Sequence, residues 1–209
     1  MMQIATVAKL WRYRVKSLAA EALDRVAVNV DGLEGDRTRA LIVASPDHAR
    51  SGKPLRGKEH GRLHTLDDEH AAIDAALAAG VMVDVASGER FFDAQPVSLL
   101  FDAWVREVEG LVGMPLDPLR WRANIYAHAA IEIGAEAGLV GATLGIGDAV
   151  LTVVQPIGRC ITTTYDIDGG PAEPAVLREV VAHRDKKVGV YCTVTRPGTI
   201  ACGDAVVRL

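Results

Sequence analysis

The run PIGRC (Pro156 to Cys160) follows the strand-like DAVLTVV and leads into ITTTYD. A cysteine that only fills a core needs no cation beside it, whereas one that works as a thiolate, toward a metal or an electrophile, is favoured by it. Cys160 is therefore the candidate reactive sulfur. Cys192 alternates with Val188, Val190 and Val194 on one face of VGVYCTV and reads as a core residue. Cys202 sits in a glycine-flanked turn and is read as incidental.

Three other stretches combine polar side chains with turn chemistry. YRVKSL (Tyr13 to Leu18) offers Lys16 and Ser17, DGLEGDR (Asp31 to Arg37) delivers Asp36 and Arg37, and RWRANI (Arg120 to Ile125) supplies two arginines and Asn124. Arginine presents a planar fork to phosphate or carboxylate, and lysine presents a point charge. Each also has a plainer reading. Arg37 fits a surface ion pair with Asp36, and Arg120 and Arg122 alternate with Trp121 as residues on one solvated strand face do. Convergence on one pocket separates the two readings. His60, His64 and His70 lie among acids, but Gly61 argues against the helix their spacing needs and no H-E-x-x-H occurs, so they are assigned no metal.

The elements that must position these residues are mostly short strands: QIATVAKL, DRVAVNV, RALIVA, VMVDV, ANIYA, AVLTVV, GVYCTV and DAVVRL. Their β-branched content and Gly/Asp/Pro borders predict a mainly β fold, a barrel with peripheral helices. Helices are expected in LDDEHAAIDAALAAG, which stops at Gly80, in QPVSLLFDAWVREVEG, from Pro96 to Gly110, and in EPAVLREVVAHRDKK. The polar, basic stretch from Ser45 to His64 reads as a long loop or lid. A loose boundary near Asp93 divides an N-terminal β-rich half, 1–93, from a C-terminal domain, 94–209, the two packed as one unit.

The chain has 209 residues, 49% hydrophobic and 24% charged, with a formal net charge of -4. That balance describes a globular protein and excludes a general polyanion binder, so no nucleic-acid partner is expected. No run approaches the roughly 18 apolar residues of a membrane span, and the N-terminus lacks a signal-peptide core. Three scattered cysteines make no disulfide framework. A cytoplasmic protein with reduced thiols is expected.

Taken in order, YRVKS, GLEGDR, RWRANI and RCITTTYD, with the closing GVYCTVTRPGTIACGD, resemble the MOSC family, named for the C-terminal domain of molybdenum-cofactor sulfurase and shared with the mitochondrial amidoxime-reducing component and bacterial stand-alone proteins. GAEAGLVGATLGIGDAVL is similar to the family's segment before the last strands. Arg14 and Ala123 stand where the family pattern has proline, and residues 44 to 64 match nothing in it.

The resemblance implies a MOSC-type barrel that binds the molybdenum cofactor (molybdopterin). Lys16, Ser17, Arg37, Arg122 and Asn124 would hold its pterin and phosphate, and Cys160 would ligate the metal. It further implies an oxidoreductase that reduces N-hydroxylated compounds at the Cys-ligated molybdenum. A separate electron-donor protein is then required, since no ferredoxin-like cysteine cluster is present. The alternative is a carrier or delivery module without catalysis of its own, presenting a persulfide on Cys160 that a separate sulfur donor supplies. Pyridoxal phosphate has no supporting lysine context.

Overall fold

The computed structural model describes all 209 residues. In chain order the strands and helices are β1 (Met2–Arg12), β2 (Glu21–Leu23), β3 (Arg25–Asn29), β4 (Gly32–Leu33), β5 (Arg39–Val43), α1 (Glu69–Ala78), β6 (Val83–Ser87), β7 (Val97–Phe101), α2 (Asp102–Val112), β8 (Ile125–Ala129), β9 (Thr143–Ile146), β10 (Ala149–Gly158), α3 (Pro174–His183), β11 (Lys187–Arg196), β12 (Gly198–Ala201) and β13 (Ala205–Arg208). Seven strands run β13-β9-β10-β11-β7-β8-β1, and β1 pairs back onto β13, closing the barrel. Closure removes the unpaired edges that an open sheet of such apolar strands would expose. Every pairing round the barrel is antiparallel except β7 with β8.

Because β1 lies between β8 and β13, the barrel draws strands from both sides of the Asp93 boundary. Its core is one continuous cluster that includes Leu10, Leu99, Phe101, Trp104, Trp121, Ile125 and Leu144. A smaller cluster of Val15, Leu18, Leu41, Val43, Leu55, Leu63, Ala72 and Ala76 lies under α1 and the β5–β6 pair. Leu55 and Leu63 belong to the stretch expected to be a loop or lid. They are 3% and 1% exposed, so apolar burial fastens that stretch to the body of the protein.

The helix expected from Pro96 to Gly110 is corrected. Val97–Phe101 is a strand with all five residues buried, and the helix runs only from Asp102 to Val112, ending at Gly113 in the left-handed conformation. A strand covered on both faces is continuously apolar, so VSLLF carries no period that tells strand from helix.

Two backbone devices aim the site. Along β10 the register with β11 shifts between Val153 and Gln155 and again between Pro156 and Gly158. Such irregularities bend a strand end, and here the chain leaves the barrel at Arg159 and turns through Ile161–Thr164. The second device is left-handed backbone. Ser17 (φ 74°), Arg37 (φ 46°) and Arg122 (φ 53°) are three of the five non-glycine residues with positive φ. That conformation is costly for a side-chain-bearing residue and concentrates at functional sites.

Candidate functional site

Four parts of the sequence meet around one cavity of about 470 Å³, within the range of about 300–1,000 Å³ typical of small-molecule sites. Lys16, Ser17, Arg37, Arg122 and Cys160 all line it. Asn124 does not. It is 1% exposed, and its Oδ1 accepts from the Ser98 hydroxyl at 2.8 Å and from Arg37 Nη1 at 3.4 Å, while Nδ2 donates to the Trp11 carbonyl. With its amide consumed by the protein, Asn124 stands behind the cavity wall and orients Arg37.

The threonines after Cys160 have separable tasks. Thr163 folds its amide and its hydroxyl onto the Cys160 carbonyl, at 3.0 and 2.9 Å, and the Thr164 hydroxyl donates to the Ile161 carbonyl. These bonds fix the turn, with Cys160 extended at its start. Thr162 faces the sulfur, its Oγ1 3.2 Å from Cys160 Sγ. All three cysteines are free thiols. Cys160 is half-buried on the cavity wall, Cys192 is sealed in the barrel where burial pushes its thiol up to about 12, and Cys202 is exposed.

Cations dominate the lining: Lys16, Arg37, Arg56, Lys58, Arg120, Arg122 and Arg159, against the carboxylates of Asp93 and Asp168. Some are answered locally. Lys16 Nζ donates to Asp93 Oδ1 at 2.5 Å, and Arg37 Nη1 to Asp36 Oδ2 at 2.6 Å. Because Asp36 is 3% exposed, that pair is buried rather than a surface one. Desolvation would raise the Asp93 carboxyl, but Lys16, with Arg37 and Arg122 nearby, holds the group below the ordinary carboxylate value.

Three arginines have only carbonyls. Arg122 Nη2 donates to the Leu18 carbonyl, Arg120 Nη1 to those of Thr163 and Tyr165, and Arg159 through Nε and Nη1 to those of Val188 and Trp121. The expected strand face for Arg120 and Arg122 is corrected: Pro118–Trp121 is a short 3-10 turn that Arg122 ends in the left-handed conformation, and both arginines line the cavity. Burial lowers the affinity of Arg122 and Arg159 for their protons, Arg159 to about 10. Both remain cations at neutral pH. Arg159 Nη2 is buried without any partner. Buried charge without a counter-ion is costly, so this arrangement suits an anionic occupant.

A sequence model described as the MOSC domain matches residues 86–207, more than half of the chain. The protein belongs to the MOSC domain family. Among solved structures, the YuaD protein of Bacillus subtilis aligns over 97% of this chain and 93% of its own, at 18% identity and a TM-score of 0.59. YiiM from Escherichia coli aligns over 100% and 70%, at 14% identity and a TM-score of 0.51. At these identities the likeness concerns the MOSC fold alone. No curated protein sequence matches the chain.

Sequence reasoning missed Tyr13, Asp93, Lys58 and Tyr191 as cavity residues and set Arg120 aside. The RWR motif was a signal for Arg120. Nothing local marks Lys58, which reaches the site only because Leu55 and Leu63 dock the segment around it.

Proposed function

We propose that this MOSC protein binds the molybdenum cofactor in the cavity, with Cys160 as the protein's ligand to the metal, and acts as a small oxidoreductase on N-hydroxylated compounds. The observation that carries this reading is convergence: a half-buried thiol and four separate basic stretches face one hollow. The family is linked to binding of this cofactor.

The donor set fits such a group. A pterin bearing a phosphate needs charge-assisted donors, and Arg122 and Arg37 offer guanidinium groups where Arg122 lacks a carboxylate of its own. Lys16 adds a point charge, softened by Asp93. The Ser17 hydroxyl donates to the Leu55 carbonyl and accepts from the Gly57 amide, both at 3.2 Å, so it ties the basic segment to the cavity. Asn124 fixes Arg37 from behind. Cys160 supplies the soft sulfur that molybdenum accepts, on a turn the threonines hold still. Arg159, clamped by two carbonyls next to that sulfur, contributes a fixed positive charge. When bound, the metal supplies the two-electron chemistry that removes oxygen from the substrate. A chain with three cysteines falls short of the four-thiolate set of an iron–sulfur cluster, so the electrons are assigned to a separate donor protein.

The test is metal and pterin analysis of protein from a host that makes the cofactor, for wild type and Cys160→Ser. Near-stoichiometric molybdenum in the wild type, lost in the variant, is the expected result. A folded wild type with neither metal nor pterin overturns the reading. Persulfide on Cys160 without metal supports a sulfur carrier instead.

A further inference from the structure

The segment without a family counterpart, residues 44 to 64, forms part of the cavity wall through Arg56, Gly57, Lys58 and His64. A Cβ placed on Gly57 would lie 3.6 Å from the Thr162 methyl, and one on Gly61 3.6 Å from the Tyr165 ring. The segment therefore packs along the turn that begins at Cys160. Arg120 holds the same turn, donating to the Thr163 and Tyr165 carbonyls.

Cofactor binding as proposed engages Lys16, Arg37 and Arg122, which leaves four lining cations. Arg56 is paired with Glu59, and the remaining nitrogen of Arg159 is sealed. Lys58 and Arg120 are left. Lys58 is exposed at the rim and has no carboxylate or hydrogen-bond partner in the protein. Arg120 is 8% exposed, its Nε is buried without a partner, and its Nη2 makes no bond within the protein. Asp168 also lines the cavity, but it pairs with neither. A neutral substrate would leave both charges unanswered.

We propose that Lys58 and Arg120 form a second anion subsite, which binds a carboxylate or phosphate group on the substrate and so makes small organic oxyanions the preferred class. The term substrate rests on the oxidoreductase reading, whereas the anion subsite itself does not. The anionic end lies against Lys58 and Arg120, and the remainder of the molecule reaches toward Cys160.

The test uses protein prepared without metal, so it is independent of the cofactor. Benzamidoxime and its 4-carboxy and 4-phosphono derivatives are titrated calorimetrically into wild type, Lys58→Glu and Arg120→Gln. At least one charged derivative is expected to bind roughly tenfold tighter than the neutral parent, consistent with a charge-assisted bond to a buried arginine. The tighter of the two identifies the oxyanion. Lys58→Glu is expected to weaken it roughly fivefold, an exposed contact, and Arg120→Gln roughly tenfold, with benzamidoxime unchanged. Lys58 is at the surface, so its variant keeps the test valid if Arg120→Gln folds poorly. Equal affinity for charged and neutral compounds overturns the proposal. So does a charged-ligand affinity that survives Lys58→Glu and falls only in Arg37 or Arg122 variants.

Discussion

The Arg122 guanidinium lies over the Tyr13 ring, 4.4 Å from its centroid, and Arg37 shares that ring at 4.6 Å. Two like charges are thus gathered round one aromatic side chain that is fully buried. Desolvation dominates the lowered proton affinity of Arg122, and the nearby Arg37 lowers it further. For Arg37, Asp36 and Tyr13 outweigh the same burial and its value is raised. The backbone beneath both arginines is left-handed. Backbone strain coincides here with a cation, Arg122, that has no carboxylate partner, which is a poor way to build a core and a good way to build a receptor.

Occupying the cavity with an anion should therefore stabilise the protein. Phosphate at ten times its Kd adds about 1.4 kcal/mol by mass action, or roughly 3–5 °C in Tm for a chain of this size. Arg122→Met removes a partly buried charge without a carboxylate partner, so it should stabilise the metal-free protein by about 1–3 kcal/mol, while reducing the phosphate effect. Thermal melts with and without phosphate check both. An Arg122→Met protein less stable than wild type would show that its contact with the Leu18 carbonyl outweighs the cost of the charge.

Tyr13 should act through its ring more than its hydroxyl. Its OH donates to the Ala123 carbonyl at 3.2 Å, so Tyr13→Phe should cost about 1 kcal/mol and leave phosphate affinity within twofold. Tyr13→Leu also removes the surface against which both arginines pack, and it should cost about 3 kcal/mol or more and weaken phosphate binding severalfold. Denaturant melts and phosphate titrations of the two variants separate the contributions.

What could be read in the sequence followed from local signals. The alternation in RVAVN gives β3 its exposed–buried pattern, Gly80 marks the end of the first helical segment, and PIGRC with its neighbouring blocks points to the site and to the MOSC family. VSLLF misled because its partners, not its own period, decide its conformation. In the third helix Val176 and Val180 face inward while the adjacent Val181 is exposed, a choice made by packing against the barrel rather than by residue type. Positive φ at Ser17, Arg37 and Arg122 leaves no trace in residue type, and Asn124 matches the motif yet sits behind the wall it supports. Lys58 enters the cavity through the long-range docking of its segment.

Gly189 should prove indispensable for the seat of Arg159. Its φ is +87°, and a Cβ there would lie 3.0 Å from Arg159 Nη2 and 3.2 Å from the Leu99 carbonyl. Gly189→Ala combines left-handed strain with displacement of a clamped guanidinium, and about 2 kcal/mol of destabilisation is expected. Phosphate affinity should fall with it if Arg159 contributes to the field in the cavity. Gly203 is the control: its φ is +92° but nothing lies within 4 Å of its Cβ position, so Gly203→Ala should show the backbone penalty alone.

The Lys16–Asp93 pair gives the site a pH dependence with a definite sign. Asp93 is held below its ordinary value of 3.8 in the folded protein, so the pair's contribution is fully present above that value. It is lost as pH falls through the lower folded value. The Asp93 side chain keeps 70% of its surface exposed, so the effect on stability should be small, and Asp93→Asn should only slightly flatten the acid limb of the stability curve. Its larger consequence is at pH 7, where the variant releases Lys16 Nζ from its carboxylate partner. Phosphate affinity should then rise roughly twofold to fivefold, the range expected for one partly exposed ion pair. Calorimetric titration at pH 7 decides it: an unchanged or lower affinity would mean that Lys16 remains held by the Phe91 carbonyl, 2.8 Å away, and does not reach the anion.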